Sequence, residues 1–226
     1  MKNKLKIALL CDENLDISQA YGLSKLSEKI EISALLVQSN TKKSFSPHKI
    51  IDFIKRRGFF VFLSYTSFNL IQLLEKKALE MFFLKHKESK SSIIFKEKVY
   101  KDTNKVFLHT VKSKSGLVYT FNEDDINIVK ELNLDLIIRC GSGILKGDIL
   151  NIPKFGILSY HHGDNRWNRG GPPGFWEVIY KKSSSGVILQ KLDENLDGGK
   201  VLIRGNFPTQ VSAYLNMKNL QLRSNF

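Results

Sequence analysis

Cysteine is scarce in this 226-residue chain. The two cysteines, Cys11 and Cys140, each end an apolar run, where a small buried thiol fits. Two cysteines cannot form the disulfide framework of a small secreted domain, so the sequence favours a reducing compartment. We therefore expect a cytoplasmic protein.

Long uncharged apolar runs are also absent. The most apolar later stretch, residues 58–84, is interrupted by four charged residues, so no run reaches the roughly 18 residues that a membrane span requires. The N-terminus begins basic and apolar, but Asp12 and Glu13 follow at once and no small-residue cleavage site appears. This segment is typical of a first β-strand rather than a signal peptide, and we expect no membrane partner.

Glycine is missing from the turn after this first strand, CDENLD at residues 11–16, whose acidic side chains repel phosphate. A later run, GSGILKG at residues 141–147, resembles a dinucleotide fingerprint but has Lys146 where that motif requires glycine. The run also follows a late strand instead of the first. Both observations argue against nicotinamide or flavin dinucleotide binding.

Positive charge, in contrast, is abundant, with a formal net charge of +13. Residues 41–105 hold 15 Lys/Arg against 6 Asp/Glu, a net charge of +9, which is most of the total. Such a segment can bind nucleic acid, an anionic membrane face or a polyanionic substrate. No recognised nucleic-acid motif accompanies the charges, so a solvated helical face is the favoured interpretation.

Apolar runs alternate with helix-like segments along the chain. Expected strands are residues 4–11, 32–37, 106–111, 134–140, 156–160, 186–191 and 200–207; expected helices are residues 18–29, 123–132 and 174–180. The near-continuous apolar run at 134–140 is typical of a strand covered on both faces. The pattern predicts an α/β fold with a Rossmann-like, open, mostly parallel twisted sheet and helices on both faces.

The domain organisation follows from the same pattern. We expect one α/β domain over residues 1–210, with a basic, partly helical insertion at about 41–105, and a C-terminal helix or tail at 211–226. Residues 85–105, which are mostly Lys, Ser and Glu, are the best candidate for a mobile insertion or linker.

Two loops carry the candidate chemistry. Residues 156–180, GILSYHHGDNRWNRGGPPGFWEVIY, place a histidine pair after an apolar strand, and residues 192–202, LDENLDGGKVL, offer a carboxylate in a turn. Ligands of such sheets bind beyond the carboxyl ends of the strands, where strand order reverses. The strands ending at Cys140 and Tyr160 both run into glycine-rich loops, so we predict the site where these loops meet.

These motifs resemble the folate-dependent formyltransferase family, which includes methionyl-tRNA, glycinamide ribonucleotide and sugar formyltransferases. The family's Asn-x-His strand end, Arg-Gly loop and Asp-(Thr/Gly)-Gly turn correspond here to residues 159–161, 169–170 and 197–199. The separation of 36 residues between His161 and Asp197 agrees with the family pattern. The resemblance covers residues 134–209 and is weak before them.

The resemblance implies formyl transfer from 10-formyltetrahydrofolate to an amine. It assigns His161, Asp197 and Ser159 to catalysis: His161 stabilises the developing oxyanion, and Asp197 holds the imidazole and relays the amine proton. Where the family has asparagine, Ser159 offers a shorter hydroxyl donor, with His162 or Asn165 as helpers. The resemblance also implies that a second group of residues binds 10-formyltetrahydrofolate: Cys140, Gly141, Gly143, Ile144, Leu145, Asp193 and Leu196.

Several of these side chains have alternative interpretations. His162 is as well explained as a structural histidine, and a metal site of His161, His162 and Asp164 is disfavoured because adjacent strand residues face opposite sides. Arg169 either ties its loop to backbone carbonyls or contacts an anionic acceptor. The aromatic residues of the histidine loop pack against it or form a substrate platform.

By elimination, the expected acceptor is a small, anionic amine, for example an amino sugar nucleotide. A tRNA is not expected, since the sequence stops shortly after the last family strand, and the arrangement allows a homodimer. The alternatives are a non-catalytic scaffold of this fold that binds a polyanion through residues 41–105, and a formyltetrahydrofolate hydrolase.

Overall fold

The computed structural model describes residues 4–39, 50–51, 54–55, 58–82, 90–113, 118–141, 143–167, 172–195 and 198–224. Its strands are β1 (Leu5–Asp12), β2 (Ile30–Ser39), β3 (Asn104–Lys112), β4 (Val118–Phe121), β5 (Leu136–Arg139), β6 (Ile144–Leu145), β7 (Ile157–His161), β8 (Ser184–Lys191) and β9 (Lys200–Pro208). Its α-helices are α1 (Phe59–Phe82), α2 (Lys90–Asp102), α3 (Glu123–Glu131), α4 (Phe175–Ile179) and α5 (Ala213–Arg223). Two 3₁₀ helices span Ser18–Leu26 and Asp148–Asn151.

All of these strands belong to one sheet in the order β6-β4-β3-β2-β1-β5-β7-β8-β9. The central pairs from β3 through β7 are parallel, whereas β3 with β4, β7 with β8 and β8 with β9 are antiparallel. Strand order runs outward from β1 in both directions, so the reversal lies between β1 and β5. This confirms the predicted mostly parallel, Rossmann-like α/β sheet.

Apolar side chains of β1 alternate between two cores. Ala8 and Leu10 pack with Val129 of α3 on one face, whereas Leu9 and Cys11 pack with residues of α2 on the other. A strand with buried side chains on both faces reads as a continuous apolar run in sequence. The continuous apolar runs of β1 and β5 therefore predict these two strands from the sequence.

Helix α3 confirms the expected start near Asn122, whose side chain accepts a hydrogen bond from the backbone N–H of Asp125 (2.8 Å). The expected helix at residues 18–29 is wrong in type, since Ser18–Leu26 forms a 3₁₀ helix that buries Ala20. Strands β4 and β6 were not predicted. They contain only four and two residues, too few for a period-2 pattern to show.

The expected linker at 85–105 is wrong over Lys90–Asp102, which forms α2. Phe95 and Val99 lie four residues apart on one helix face and are buried in the core. Phe95 also contacts the ring of Tyr21 edge-on, with centroids 5.9 Å apart. The abundance of lysine and serine on the remaining faces concealed this amphipathic pattern.

The C-terminal helix α5 packs against the sheet and α4 through a buried asparagine. Asn216 donates to the carbonyl of Gly174 (2.7 Å) and to Ser185 Oγ (2.8 Å). The backbone N–H of Tyr214 donates to Glu75 of α1 (3.0 Å).

Among the described residues, no helix combines the length and the apolar character needed to cross a membrane.

Candidate functional site

A cavity of about 140 Å³ lies at the carboxyl ends of β5 and β7, next to the strand-order reversal. Its walls come from the loop after β5, from β7 and β8, and from the turn after β8. They are Arg139, Gly141, Gly143, Ile144, Leu145, Ser159, Tyr160, His161, Gln190, Leu192, Asp193 and Asn195. Seven of the ten site residues predicted from sequence therefore share one cavity.

The loop after β5 forms one wall of this cavity and depends on glycine. Gly143 has φ +81°, and a Cβ there would overlap the ring of Tyr119 on β4 at 1.7 Å. Gly141 lies against the Asp12 and Gln38 side chains at the ends of β1 and β2, which hydrogen-bond each other. Cys140, predicted to contact the formyl donor, packs in the core under this wall and is not part of the lining.

Three neighbouring strands contribute a row of polar side chains to the cavity. Arg139 of β5 is in register with Ser159 of β7, which is in register with Gln190 of β8. Residues in register across a sheet share a face, and His161 shares it too because it lies two residues beyond Ser159. The row places donor groups beside the predicted catalytic histidine.

Arg139 is a buried charge within this row, with 4% of its surface exposed. Burial lowers the pKa of its guanidinium to about 10, and Asp12 opposes that shift. The side chain is therefore still a cation at neutral pH. It gives the cavity a positive field that suits a developing negative oxygen.

His162 directly follows β7 and, unlike His161, does not line the cavity. Its Nε2 lies 3.1 Å from Ser224 Oγ, directly after α5. Burial lowers the pKa of this imidazole to about 4, and His161 contributes to the decrease. His162 is therefore neutral at physiological pH and links the strand to the C-terminal helix, so it does not assist Ser159.

Asp164 clamps the histidine loop onto the sheet. Its carboxylate contacts Arg166, and Arg204 of β9 lies 3.0 Å away. The loop backbone at Asp164 also lies so close to Gly186 that a Cβ on that glycine would meet it at 3.0 Å. The hydrogen bond from Arg166 lowers the pKa of Asp164.

Across the described ranges, no group of three His, Cys, Asp or Glu side chains is arranged to hold a metal ion.

The turn between β8 and β9 closes the cavity. Asp193 accepts a hydrogen bond from the backbone N–H of Asn195 (2.8 Å), and Glu194 accepts one from that of Gly147 (3.0 Å). The second contact joins this turn to the segment after β6. Leu196 and Asp197 lie outside the described residues, so the predicted role of Asp197 stays a prediction, as does that of Leu196 in contacting the formyl donor.

Beside the histidine loop, α4 carries a buried carboxyl and an aromatic cluster. Burial raises the pKa of Glu177, and nearby His161 opposes that increase. The ring of Phe175 contacts that of Phe68 in α1 edge-on, with centroids 4.6 Å apart. This aromatic residue therefore packs α4 against α1. The other aromatic residues line a surface pocket of about 550 Å³, formed by Trp167, Trp176, Tyr180 and Lys182.

Sequence reasoning missed two polar residues that lie buried in the strands of the cavity wall, Arg139 and Gln190. Both lie inside strands and are nearly fully buried, at 4% and 2% exposure. The available signal was a charged or amide residue within an otherwise apolar strand, since such groups are rarely buried without a partner.

Comparison with known proteins connects this geometry with a family. No protein-family model matches the chain. It is 33% identical over 104 residues to the methionyl-tRNA formyltransferase of Ehrlichia ruminantium (strain Gardel). The match covers 43% of this chain and 34% of the relative. The corresponding enzyme of Rickettsia canadensis (strain McKiel) is 31% identical over 87 residues, or 38% of this chain and 29% of the relative.

Among solved structures, glycinamide ribonucleotide transformylase 1 from Symbiobacterium toebii has a TM-score of 0.61 over the whole chain and 84% of its own, at 8% identity. This likeness establishes a shared fold. The chain therefore has the formyltransferase fold and is similar in sequence to curated methionyl-tRNA formyltransferases over part of its length. Its matches span about a third of the length of the curated relatives.

The relatives correct the expected partners of this chain. A small-molecule amine was expected as acceptor, tRNA was not, and a homodimer was allowed. The curated relatives are instead methionyl-tRNA formyltransferases by name. The expectation depended on where the sequence stops, and a chain that matches only a third of its relatives' length gives no basis for that argument.

Proposed function

We propose that this protein transfers the formyl group of 10-formyltetrahydrofolate to the amino group of an aminoacyl-tRNA in the cytoplasm. The observation that carries the proposal is the cavity shared by Ser159, His161 and the glycine loop at 141–145. The curated relatives support this acceptor, and the net charge of +13 suits a polyanion.

The cavity fits the reacting end of the donor. Its volume of about 140 Å³ is below the 300–1,000 Å³ of pockets that enclose a whole ligand, so it would surround the formyl group while the rest of the folate lies outside. The backbone at Gly141 and Gly143 would hold the donor beside Ser159. When bound, 10-formyltetrahydrofolate supplies an activated carbonyl whose bond to N10 breaks as the acceptor amine bonds to its carbon.

The side chains on this face of the sheet would act on charge and protons. His161 would donate a hydrogen bond to the formyl oxygen, and the Arg139 cation would stabilise negative charge there. Asp197 would orient the imidazole and receive the amine proton, as the family motif implies. His161 partly opposes the burial that raises the pKa of Glu177, so this carboxyl lies close to the reacting face.

The aromatic pocket of Trp167, Trp176 and Tyr180 with Lys182 supports a nucleic-acid acceptor. Trp176 stacks on Tyr180 with centroids 5.9 Å apart, and Lys182 lies over the ring of Trp167 at 4.9 Å. Exposed aromatic rings next to a cation suit an unstacked base and its phosphate. The 3′ end of an acceptor tRNA is such a segment.

The test is to incubate the protein with 10-formyltetrahydrofolate and methionyl-tRNA, and to measure tetrahydrofolate release and formyl-methionine by mass spectrometry. We expect release only with an acceptor whose amine is free. N-acetyl-methionyl-tRNA is the matched control, because it keeps the tRNA and blocks the amine. Release without acceptor would indicate the hydrolase, and no release would indicate the polyanion-binding scaffold.

A further inference from the structure

Gln190 is a buried amide in the wall of the cavity. It lies in β8, is 2% exposed, and its Oε1 has no hydrogen-bond partner in the described part of the chain. Leaving such a group unsatisfied costs about 1–3 kcal/mol, and most buried polar groups are paired. An unpartnered amide on the wall of a cavity therefore indicates a ligand contact.

The strand register places Gln190 beside the predicted catalytic residues. Gln190 and Ser159 are direct partners in the antiparallel pair of β7 and β8, so their Cβ atoms lie about 5 Å apart on one face. His161 lies on this same face, two residues along β7. The amide thus lies next to the hydroxyl that replaces the asparagine of the family motif.

We propose that Gln190 is a catalytic residue whose side-chain amide hydrogen-bonds the formyl oxygen, replacing the donor that is missing at Ser159. The proposal rests on the proposed function. The Nε2 of this amide carries two N–H groups, which can donate to a carbonyl oxygen that enters the cavity. Glutamine is one methylene longer than asparagine, which lets an amide on β8 reach the space above β7.

The chemistry requires a donor at this point. As the acceptor nitrogen bonds to the formyl carbon, the carbonyl electrons move to oxygen, and the charge is stabilised by N–H groups already in place. Ser159 Oγ donates to the carbonyl of Tyr160 (3.3 Å), so the Ser159 hydroxyl is already engaged. The Nε2 of Gln190, on the wall of the cavity, is then the donor for the oxygen together with His161.

The first test compares Gln190→Leu with Gln72→Leu. Gln72 of α1 also has an unpartnered amide atom, Nε2, but it lies outside the cavity. For Gln190→Leu we expect kcat to fall about 100-fold to 1000-fold, the effect of losing one oxyanion donor, with KM for the acceptor unchanged. Gln72→Leu should keep wild-type kcat. Gln190→Met keeps the side-chain length and removes the amide. An equal fall in its kcat would show that the loss comes from the missing amide and not from a folding defect.

Two readouts do not depend on turnover. Without acceptor, wild type should bind 10-formyltetrahydrofolate more tightly than tetrahydrofolate, and Gln190→Leu should lose that difference. The infrared stretch of a ¹³C-labelled formyl carbonyl should shift to lower frequency on binding wild type, and shift less on binding the variant. These signals report the hydrogen bond at the formyl oxygen.

Rescue separates catalysis from structure. Adding Ser159→Asn to Gln190→Leu returns an amide to the site, and we expect it to recover at least about tenfold of the lost kcat. An unchanged carbonyl stretch in Gln190→Leu, with kcat within about threefold of wild type, would overturn the proposal and leave the formyltransferase function intact. Failure of wild type to bind 10-formyltetrahydrofolate would overturn both.

Discussion

Two adjacent histidines at the end of β7, His161 and His162, occupy different environments, since adjacent residues at a strand end point to opposite sides. His161 faces the cavity with Ser159, whereas His162 faces Ser224. The same alternation argues against a metal site shared by both imidazoles. One residue is thus available for chemistry and the other for stability, and each role makes a separate prediction.

His161→Ala should abolish most turnover without preventing donor binding. Loss of a donor to the formyl oxygen corresponds to a fall of about 100-fold to 1000-fold in kcat, while the affinity for 10-formyltetrahydrofolate should change by less than about tenfold. Steady-state kinetics and calorimetry measure the two quantities. His109→Ala, at an exposed imidazole on β3, is the control. Equal turnover in both variants would remove His161 from the mechanism.

His162 should make the protein less stable in acid. Its pKa is lowered from 6.5 to about 4 in the folded state, so the unfolded state binds the proton first as pH falls. Stability is fully present above pH 6.5 and declines by up to about 3 kcal/mol as the pH falls to about 4. Urea unfolding at about pH 7.5 and about pH 4.5 should show this loss.

The His162→Gln variant should show a smaller loss of stability between these two pH values than wild type. The comparison isolates His162, because Glu177, whose pKa burial raises, contributes a slope of opposite sign in both proteins. A His162→Gln slope equal to that of wild type would assign the acid sensitivity to another group.

At the scale of elements, sequence predicted segments whose burial is continuous and missed those whose burial depends on partners. Strands β1 and β5 are apolar throughout, and α3 has the cap at Asn122, so each carries its own signal. Strands β4 and β6 form by pairing at the sheet edge, β4 with β3 and β6 with β4. Their four and two residues hold no pattern that could be recognised alone.

Helix α2 offers the sharpest test at this scale. Phe95 is 9% exposed in the core, whereas neighbouring Ile94 is 63% exposed. Phe95→Ala should lower the free energy of unfolding by about 3 kcal/mol, and Ile94→Ala by less than about 1 kcal/mol, as measured by urea unfolding. Equal, small effects would mean that residues 90–102 behave as the linker that their composition suggests.

For the whole molecule, topology brings distant segments into one site. The reversal of strand order beside β1 follows from the α/β alternation, so the location of the cavity could be predicted, and glycine-rich loops marked its walls. A polar residue within an apolar strand marks Arg139 and Gln190 as unusual, but their place in the cavity depends on the register of β5, β7 and β8. A shift of one residue would move Gln190 to the opposite face.

Net charge is the remaining property of the whole molecule, and it predicts how acceptor and donor binding respond to salt. With +13 charges, binding of aminoacyl-tRNA should involve several phosphates and release their counterions. Six contacts would weaken affinity by about 1000-fold between about 50 and 200 mM salt. Binding of 10-formyltetrahydrofolate in the cavity should change far less, because few charges meet there. Filter binding for the tRNA and calorimetry for the folate measure both dependences. A tRNA affinity as insensitive to salt as that of the folate would mean that the positive charge is solvated surface and that the acceptor is recognised by other contacts.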